Sequence, residues 1–465
     1  MRVFRWCVMG TIAWGVLAFG AVYPWAYWPL AGASAASGGW AIAATGAWRD
    51  PRARRLAVAL SVLVAAIGVQ IVSLPYGVVA WLSPAVDEFL RAFELGFRPE
   101  VRHTLSLEPE HTAAALLLAA ALSLLLVGLM RAVRHLPLEW LVSQLMGLGA
   151  ALAIFGIVQK GFLDPNAPLV YGFWQPRELG SPFGPFINRN HFAGWMVMVL
   201  PIVTMYAVAV LHGAARLRTA AGAPAGAAGG LRWLTTVEGN RVLLIAFMAM
   251  VMGVALVLTT SRSGLASFAV ASVLMLWFVC RRLAQRRHRI AAGLYVGSVL
   301  VGAVLWAGGD MVARRLTTSH ESIDSRLSAW NDTIQIARDF PIFGVGLGAY
   351  GRAMLMYQTQ GRELMYAQAH NDYLQLAAEG GLLVGVPALA VLVLVVQGIS
   401  RRLRSDDDDE LTYWIRRGAV AGLAGIAVQS AVEFSLQMPG NALLCVVLVA
   451  IAVHRPRQSA HARRV

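Results

Sequence analysis

Apolar runs of about 20 residues return again and again along this chain, and that repetition limits the folds open to it. Such runs match helices crossing a hydrocarbon layer roughly 30 Å thick. The chain has 465 residues, of which 58% are hydrophobic and 14% charged, and its mean hydropathy is +0.60. A soluble globule carries about a quarter of its residues as charged side chains. The composition therefore excludes a soluble domain and predicts an all-α polytopic membrane protein, a single integral-membrane domain over 1–465. Twelve spans are expected, near 5–23, 28–48, 56–75, 112–130, 138–158, 192–211, 242–260, 264–280, 290–308, 373–399, 418–434 and 441–453. The first follows Arg2 and Arg5 without a small-residue cleavage site and reads as a span, not a removed signal.

Arginine sets the orientation. With both termini inside, the inner segments hold 26 of the 39 Lys and Arg residues and the outer ones 13. That bias follows the positive-inside rule, so the net charge of +14 implies no nucleic acid. Three outer loops follow, over 76–111, 159–191 and 309–372. The last is too long for a mere connector. Within it "DSRLSAWNDTIQIARDF" has Leu327, Trp330, Ile334 and Ala337 at helical spacing, Asp324 or Ser325 as a cap, and Pro341 as a stop. "PAVDEFLRAFELGF" in the first loop reads as an amphipathic helix on the membrane surface. On the inner side, 220–230 reads as a flexible linker and "DDDDE" at 406–410 as a solvated face. Cys7, Cys280 and Cys445 lie in or beside apolar runs and suggest no disulfide framework or metal spacing.

Polar residues crowd four outer motifs. "GPFINRNHFAG" supplies Asn188, Arg189, Asn190 and His191; "TTSRSG" supplies Ser261, Arg262 and Ser263. "DSRLSAWND" supplies Arg326 and Trp330, and "AHNDY" supplies His370, Asn371, Asp372 and Tyr373. Guanidinium forks match phosphate oxygens and stay charged, so these arginines suit an anionic site at the membrane–water interface. No outer carboxylate cluster suggests a metal cage. His370 is a candidate base. Asn371 and Asp372 can cap or orient the tenth span, Asp372 is also a candidate to orient His370, and His191 suits packing or hydrogen bonding. "FGVGLGAYG" lacks the setting of a nucleotide loop and reads as a turn.

Together the motifs, over 182–385, resemble the O-antigen ligase and Wzy-type polymerase superfamily, through "NRNHFAG", "SRSG", "RLSAWNDTIQIARDFPIFGVGLGAYG" and "HNDYLQLAAEGGLLVG". The resemblance implies a metal-independent, inverting glycosyltransferase of GT-C type in a bacterial inner membrane, needing no cofactor. The three outer loops would then be periplasmic, the longest of them helical. The donor would be a glycan on undecaprenyl pyrophosphate. The acceptor would be lipid A–core in a ligase and another lipid-linked glycan in a polymerase; the glycine spacing after His370 leaves both open. By motif, Arg189 and Arg262 would bind pyrophosphate, His370 would be the base, and Arg326 would order the loop or bind phosphate. Asn190 and Asn371 would join the substrate site. A protein O-glycosyltransferase is a more distant reading. An anionic-solute transporter would instead bind near the bilayer midplane at broken helices within repeats.

The charge bias predicts that 309–372 faces away from the cytoplasm. Single cysteines at Ser328 and Gln360, in a chain whose own three cysteines are replaced, should label with an impermeant reagent in intact spheroplasts. Labelling only after lysis would reverse the orientation.

Overall fold

The computed structural model describes residues 1–162, 169–176, 181–220, 235–282, 321–361, 366–405 and 407–455. Fifteen α-helices run through the described residues: α1 (Arg2–Leu17), α2 (Pro24–Thr45), α3 (Pro51–Gln70), α4 (Tyr76–Leu82), α5 (Pro84–Phe93), α6 (Pro109–Ala132), α7 (Leu138–Phe162), α8 (Arg189–Ala220), α9 (Val237–Leu258), α10 (Arg262–Arg282), α11 (Glu321–Asp339), α12 (Tyr350–Tyr357), α13 (Asp372–Leu403), α14 (Glu410–Gln429) and α15 (Pro439–Val453). Seven of the long ones are apolar enough to cross a membrane, and α15 is a shorter apolar helix. The chain is thus a multi-pass membrane protein. The span expected at 290–308 and most of the linker at 220–230 lie outside the described residues. One small departure from an all-helical chain is the antiparallel pair β1 (Leu74–Pro75) and β2 (Arg102–His103).

Helix starts follow local chemistry. Asp50 caps α3 through the amide of Arg52, Thr236 caps α9 through that of Gly239, and Asp409 caps α14 through that of Thr412. α8 is the central helix: 72% of its apolar window is buried, against 6% for α13, which lies at the periphery. α14 packs closely on α8 because Gly418 and Gly422 face it. A Cβ at Gly422 would stand 2.5 Å from the Met198 carbonyl oxygen. Small residues of this kind let membrane helices approach backbone to backbone.

A second apolar core caps one end of the bundle. It joins α4, α5, α11 and α12 through Val79, Val86, Phe89, Ile336 and Tyr350. α11 contributes a face other than the one its apolar spacing predicts. Ala329, Asp332, Thr333 and Ile336 are buried, whereas Leu327 is exposed. The polar pair is tolerated because Asp332 accepts from the Thr359 amide and hydroxyl, and the Thr333 and Tyr350 hydroxyls are bonded to each other. The expected cap positions, Asp324 and Ser325, fall within α11, which begins at Glu321.

The "FGVGLGAYG" segment is indeed a turn, and it closes on a break in α13. At Gly381 the backbone leaves helical geometry, with φ 54° and ψ −157°. The freed groups pair with the turn: Val345 and Gly346 amides donate to Ala378 and Glu379 carbonyls, and Leu382 and Leu383 amides donate to Pro341 and Ile342 carbonyls. A broken helix in a membrane protein requires such replacements. Gln70 of α3 locks the junction by donating to the Phe343 and Glu379 carbonyls.

The opposite end corrects the reading of "DDDDE" as a solvated face. Asp408 is 2% exposed and bonds Arg416 of α14 at 2.8 Å and Arg402 of α13 at 3.2 Å. Arg416 also donates to the Ile451 and Ala452 carbonyls at the end of α15. Two arginines some distance apart in the chain need a buried counter-charge, and one aspartate of the run supplies it.

The break generates a stability prediction. Gly344 has φ 66°, and a Cβ there would lie 2.2 Å from the Glu379 carbonyl oxygen. Gly344→Ala should cost about 1–3 kcal/mol, lowering the thermal midpoint in detergent. Gly385→Ala, where a Cβ meets nothing within 4 Å, should not lower it. Equal midpoints for the two variants would contradict the junction.

Candidate functional site

At the capped end, α8, α10, α13 and α15 begin while α9 and α14 end. Their termini are laced together. Gln429 of α14 donates to the Asn190 carbonyl, Asn441 of α15 to the His191 carbonyl, and the Asp372 amide to the Ser430 carbonyl. All four polar motifs are drawn to this end.

His370 precedes α13 in left-handed backbone geometry, with φ 51°. Asn371 caps the helix by accepting from the Tyr373 and Leu374 amides at 3.0 and 3.1 Å. Trp330 of α11 donates to the Ala369 carbonyl at 2.9 Å, anchoring the residue before His370. The His370 ring meets Phe434 edge to face, and His191 packs on Phe434 in the same manner. His191 is buried, in keeping with the packing role read from its motif.

The carboxylate beside His370 is Glu433, not Asp372. Nδ1 of His370 lies 3.4 Å from Oε2 of Glu433, a long hydrogen bond. Asp372 accepts from the Leu436 amide and the Gln437 side chain, fastening α13 to the 3-10 turn Ser435–Gln437. Those bonds turn Asp372 away from His370, which stands two residues earlier, outside the helix and in left-handed geometry. On Oε1, Glu433 accepts from Asn190 at 2.7 Å and from Arg326 at 2.9 Å; Arg326 also donates to the Val432 carbonyl at 3.2 Å.

Glu433 is 1% exposed, against 31% for His370 and 39% for Arg326. Burial pushes its carboxyl up, but the hydrogen bond with His370 and the nearby Arg326 charge outweigh burial and hold it below the usual glutamate range. The buried anion thus gathers three of the residues singled out from the sequence: Asn190, Arg326 and His370.

Arg189 and Arg262 form a neighbouring group. Nη1 of Arg189 donates to the Thr260 hydroxyl at 2.5 Å. Thr260 has φ 55° in the tight turn from α9 into α10, and Arg262 is the exposed first residue of α10. Ser261 caps α10 by accepting from the Gly264 amide at 3.1 Å. The two groups adjoin at the start of α8, where Arg189 and Asn190 are consecutive. Asn190 and Asn371 spend side-chain bonding capacity inside the protein, on Glu433 and on the α13 cap.

Glu433 carries no motif of its own. Its signal was positional: it is the sole carboxylate after Glu410, at the end of an apolar run. A lone acid in such a place costs free energy unless paired. Among the described residues, no three His, Cys, Asp or Glu side chains come together as metal ligands do.

Fold and site together define a multi-pass membrane protein with cations and a carboxylate–histidine pair at one end of its helices. The family model described as O-Antigen ligase matches residues 247–393, which include Arg262, Arg326 and His370. The exopolysaccharide production protein ExoQ of Rhizobium meliloti (strain 1021) is 26% identical over 218 residues, 44% of this chain and 49% of that protein. The match thus spans about half the length of that relative. With its four ordered motifs, the chain is thus similar to the O-antigen ligase and Wzy-type polymerase superfamily over its central and C-terminal part.

Glu433→Gln keeps the shape but removes the charge that Arg326 and His370 face. It should destabilise the protein by about 1–3 kcal/mol near neutral pH. A depressed carboxyl stabilises the fold above its unfolded pKa of about 4.3, and the contribution is lost as pH falls through the lower folded value. Thermal midpoints of wild type and variant should therefore differ at pH 7 and converge below about pH 4. A gap independent of pH would contradict the charge assignment.

Proposed function

We propose that the chain transfers a glycan from undecaprenyl pyrophosphate to an acceptor hydroxyl at the periplasmic face of a bacterial inner membrane. It acts as a metal-independent, inverting glycosyltransferase of twelve-span, GT-C type. The observation that carries this reading is the convergence of His370, Arg326 and Asn190 on buried Glu433, beside the turn that holds Arg189 and Arg262.

The chemistry follows from the residue types. Nδ1 of His370 donates to Glu433, which leaves Nε2 with the lone pair. Nε2 takes the acceptor's hydroxyl proton as its oxygen attacks the anomeric carbon. The bond from that carbon to the pyrophosphate oxygen breaks, and configuration inverts. The departing pyrophosphate gains charge, and Arg189 and Arg262 stabilise it electrostatically. Glu433 stabilises the imidazolium that forms. Arg326 and the two asparagines hold the frame: Arg326 and Asn190 fix the Glu433 carboxylate, and Asn371 fixes the backbone beside His370. A site at helix ends suits a donor whose lipid tail stays in the bilayer.

The description of the matching family favours ligation to lipid A–core. The resemblance to an exopolysaccharide production protein favours the polymerase reading, with a lipid-linked glycan as acceptor. Purified protein given only lipid-linked glycan separates them, because a polymerase lengthens that substrate and a ligase requires lipid A–core.

His370→Ala should reduce transfer by about 10²- to 10⁴-fold while leaving donor binding and the thermal midpoint nearly unchanged. Arg262→Lys keeps the charge but loses the planar fork, and should weaken donor binding. Full transfer by His370→Ala would rule out the base role. Wild-type donor affinity in both Arg189→Ala and Arg262→Ala would remove the pyrophosphate assignment.

A further inference from the structure

Of the 39 Lys and Arg residues in this chain, a single one is lysine: Lys160. It stands near the end of α7, with an exposed side chain. Its ammonium donates to the carbonyl of Leu258, the last residue of α9. Two residues further, Thr260 accepts from Arg189, and two further again Arg262 opens α10. One short turn, 258–262, therefore collects three cations from three helices.

The charges of Lys160 and Arg189 lie close enough to repel. Among the described residues, no carboxylate lies within ion-pair distance of Lys160. A helix C-terminus is a favourable place for a cation and explains the bond to Leu258. It does not explain why the cation stands beside Arg189. An ammonium has three N–H donors, and Leu258 takes one, leaving two for an incoming acceptor.

We propose that Lys160 is a third cationic ligand of the donor's pyrophosphate. The assignment rests on the reading of Arg189 and Arg262 given above. The lysine adds a property that the arginines lack. Guanidinium forks fix phosphate oxygens in a set geometry, whereas an ammonium on a four-carbon stem is a point charge that can follow them. Charge grows on the leaving pyrophosphate as the glycosidic bond breaks, and an adjustable cation meets that change.

Because the chain has one lysine, the first measurement needs no variant. The full-length protein in detergent is treated with a water-soluble amine-acylating reagent, with and without inorganic pyrophosphate at matched ionic strength. Acylation of Lys160 and of the Met1 amine is followed by peptide mass spectrometry. Pyrophosphate should slow acylation of Lys160 several-fold and leave Met1 unaffected, and Arg262→Ala should abolish the protection. Lys160→Gln should weaken pyrophosphate binding about tenfold, with partial recovery in Lys160→Arg. Unprotected Lys160, or equal slowing at Met1, would overturn the assignment. If Arg262→Ala loses pyrophosphate binding while Lys160→Gln keeps it, Lys160 is a helix-end cation only and the donor reading stands. If neither variant changes binding, the donor reading fails as well.

Discussion

A carboxylate with 1% of its surface exposed cannot stay charged without partners, and Glu433 obtains them from three distant parts of the chain. Asn190 comes from the start of α8, Arg326 from α11 in the cap, and His370 from the segment just before the α13 cap. The cap is therefore tied to the bundle through an ion pair as well as through apolar packing. The same bonds hold the imidazole in one orientation. Folding requirement and proposed catalytic geometry meet in a single side chain: under the proposed mechanism, His370 is oriented before any substrate arrives.

The break in α13 makes that arrangement possible. A continuous helix would have no open backbone groups at Ala378 and Glu379 for the Gly344–Gly348 turn to join. Because it is broken, the turn seats against it and positions α12, whose Tyr350 bonds Thr333 of α11. α11 in turn delivers Trp330 and Arg326 to the site. At the opposite end, Asp408 repeats the principle with Arg402 and Arg416. Each end of the bundle is thus closed by one buried acid whose partners come from different helices.

Much of the membrane architecture was legible in the sequence, because hydropathy and arginine placement act locally. Runs such as 56–75 and 242–260 became α3 and α9 with only shifted ends. The four polar motifs could be read because Arg189, Arg262 and His370 are costly beside apolar runs. Glu433 was not legible, since its meaning depends on partners 63 to 243 residues away. The buried face of α11 was also misread. Asp332 and Thr333 look solvent-facing until their bonds to Thr359 and Tyr350 are known. Asp408 was lost inside an acidic run for the same reason: burial of a charge is decided by tertiary partners, not by its neighbours in the chain.

The central claim is that two adjoining groups divide one reaction, with cations on the leaving group and a carboxylate-held imidazole on the nucleophile. The structure of the protein with an undecaprenyl pyrophosphate-linked glycan bound, determined by electron cryomicroscopy, tests it most directly. The account predicts the two phosphates against Arg189 and Arg262, the lipid leaving between helices into the bilayer, and the anomeric carbon facing Nε2 of His370. Phosphates seated elsewhere, or a sugar on the far side of the arginines from His370, would contradict it.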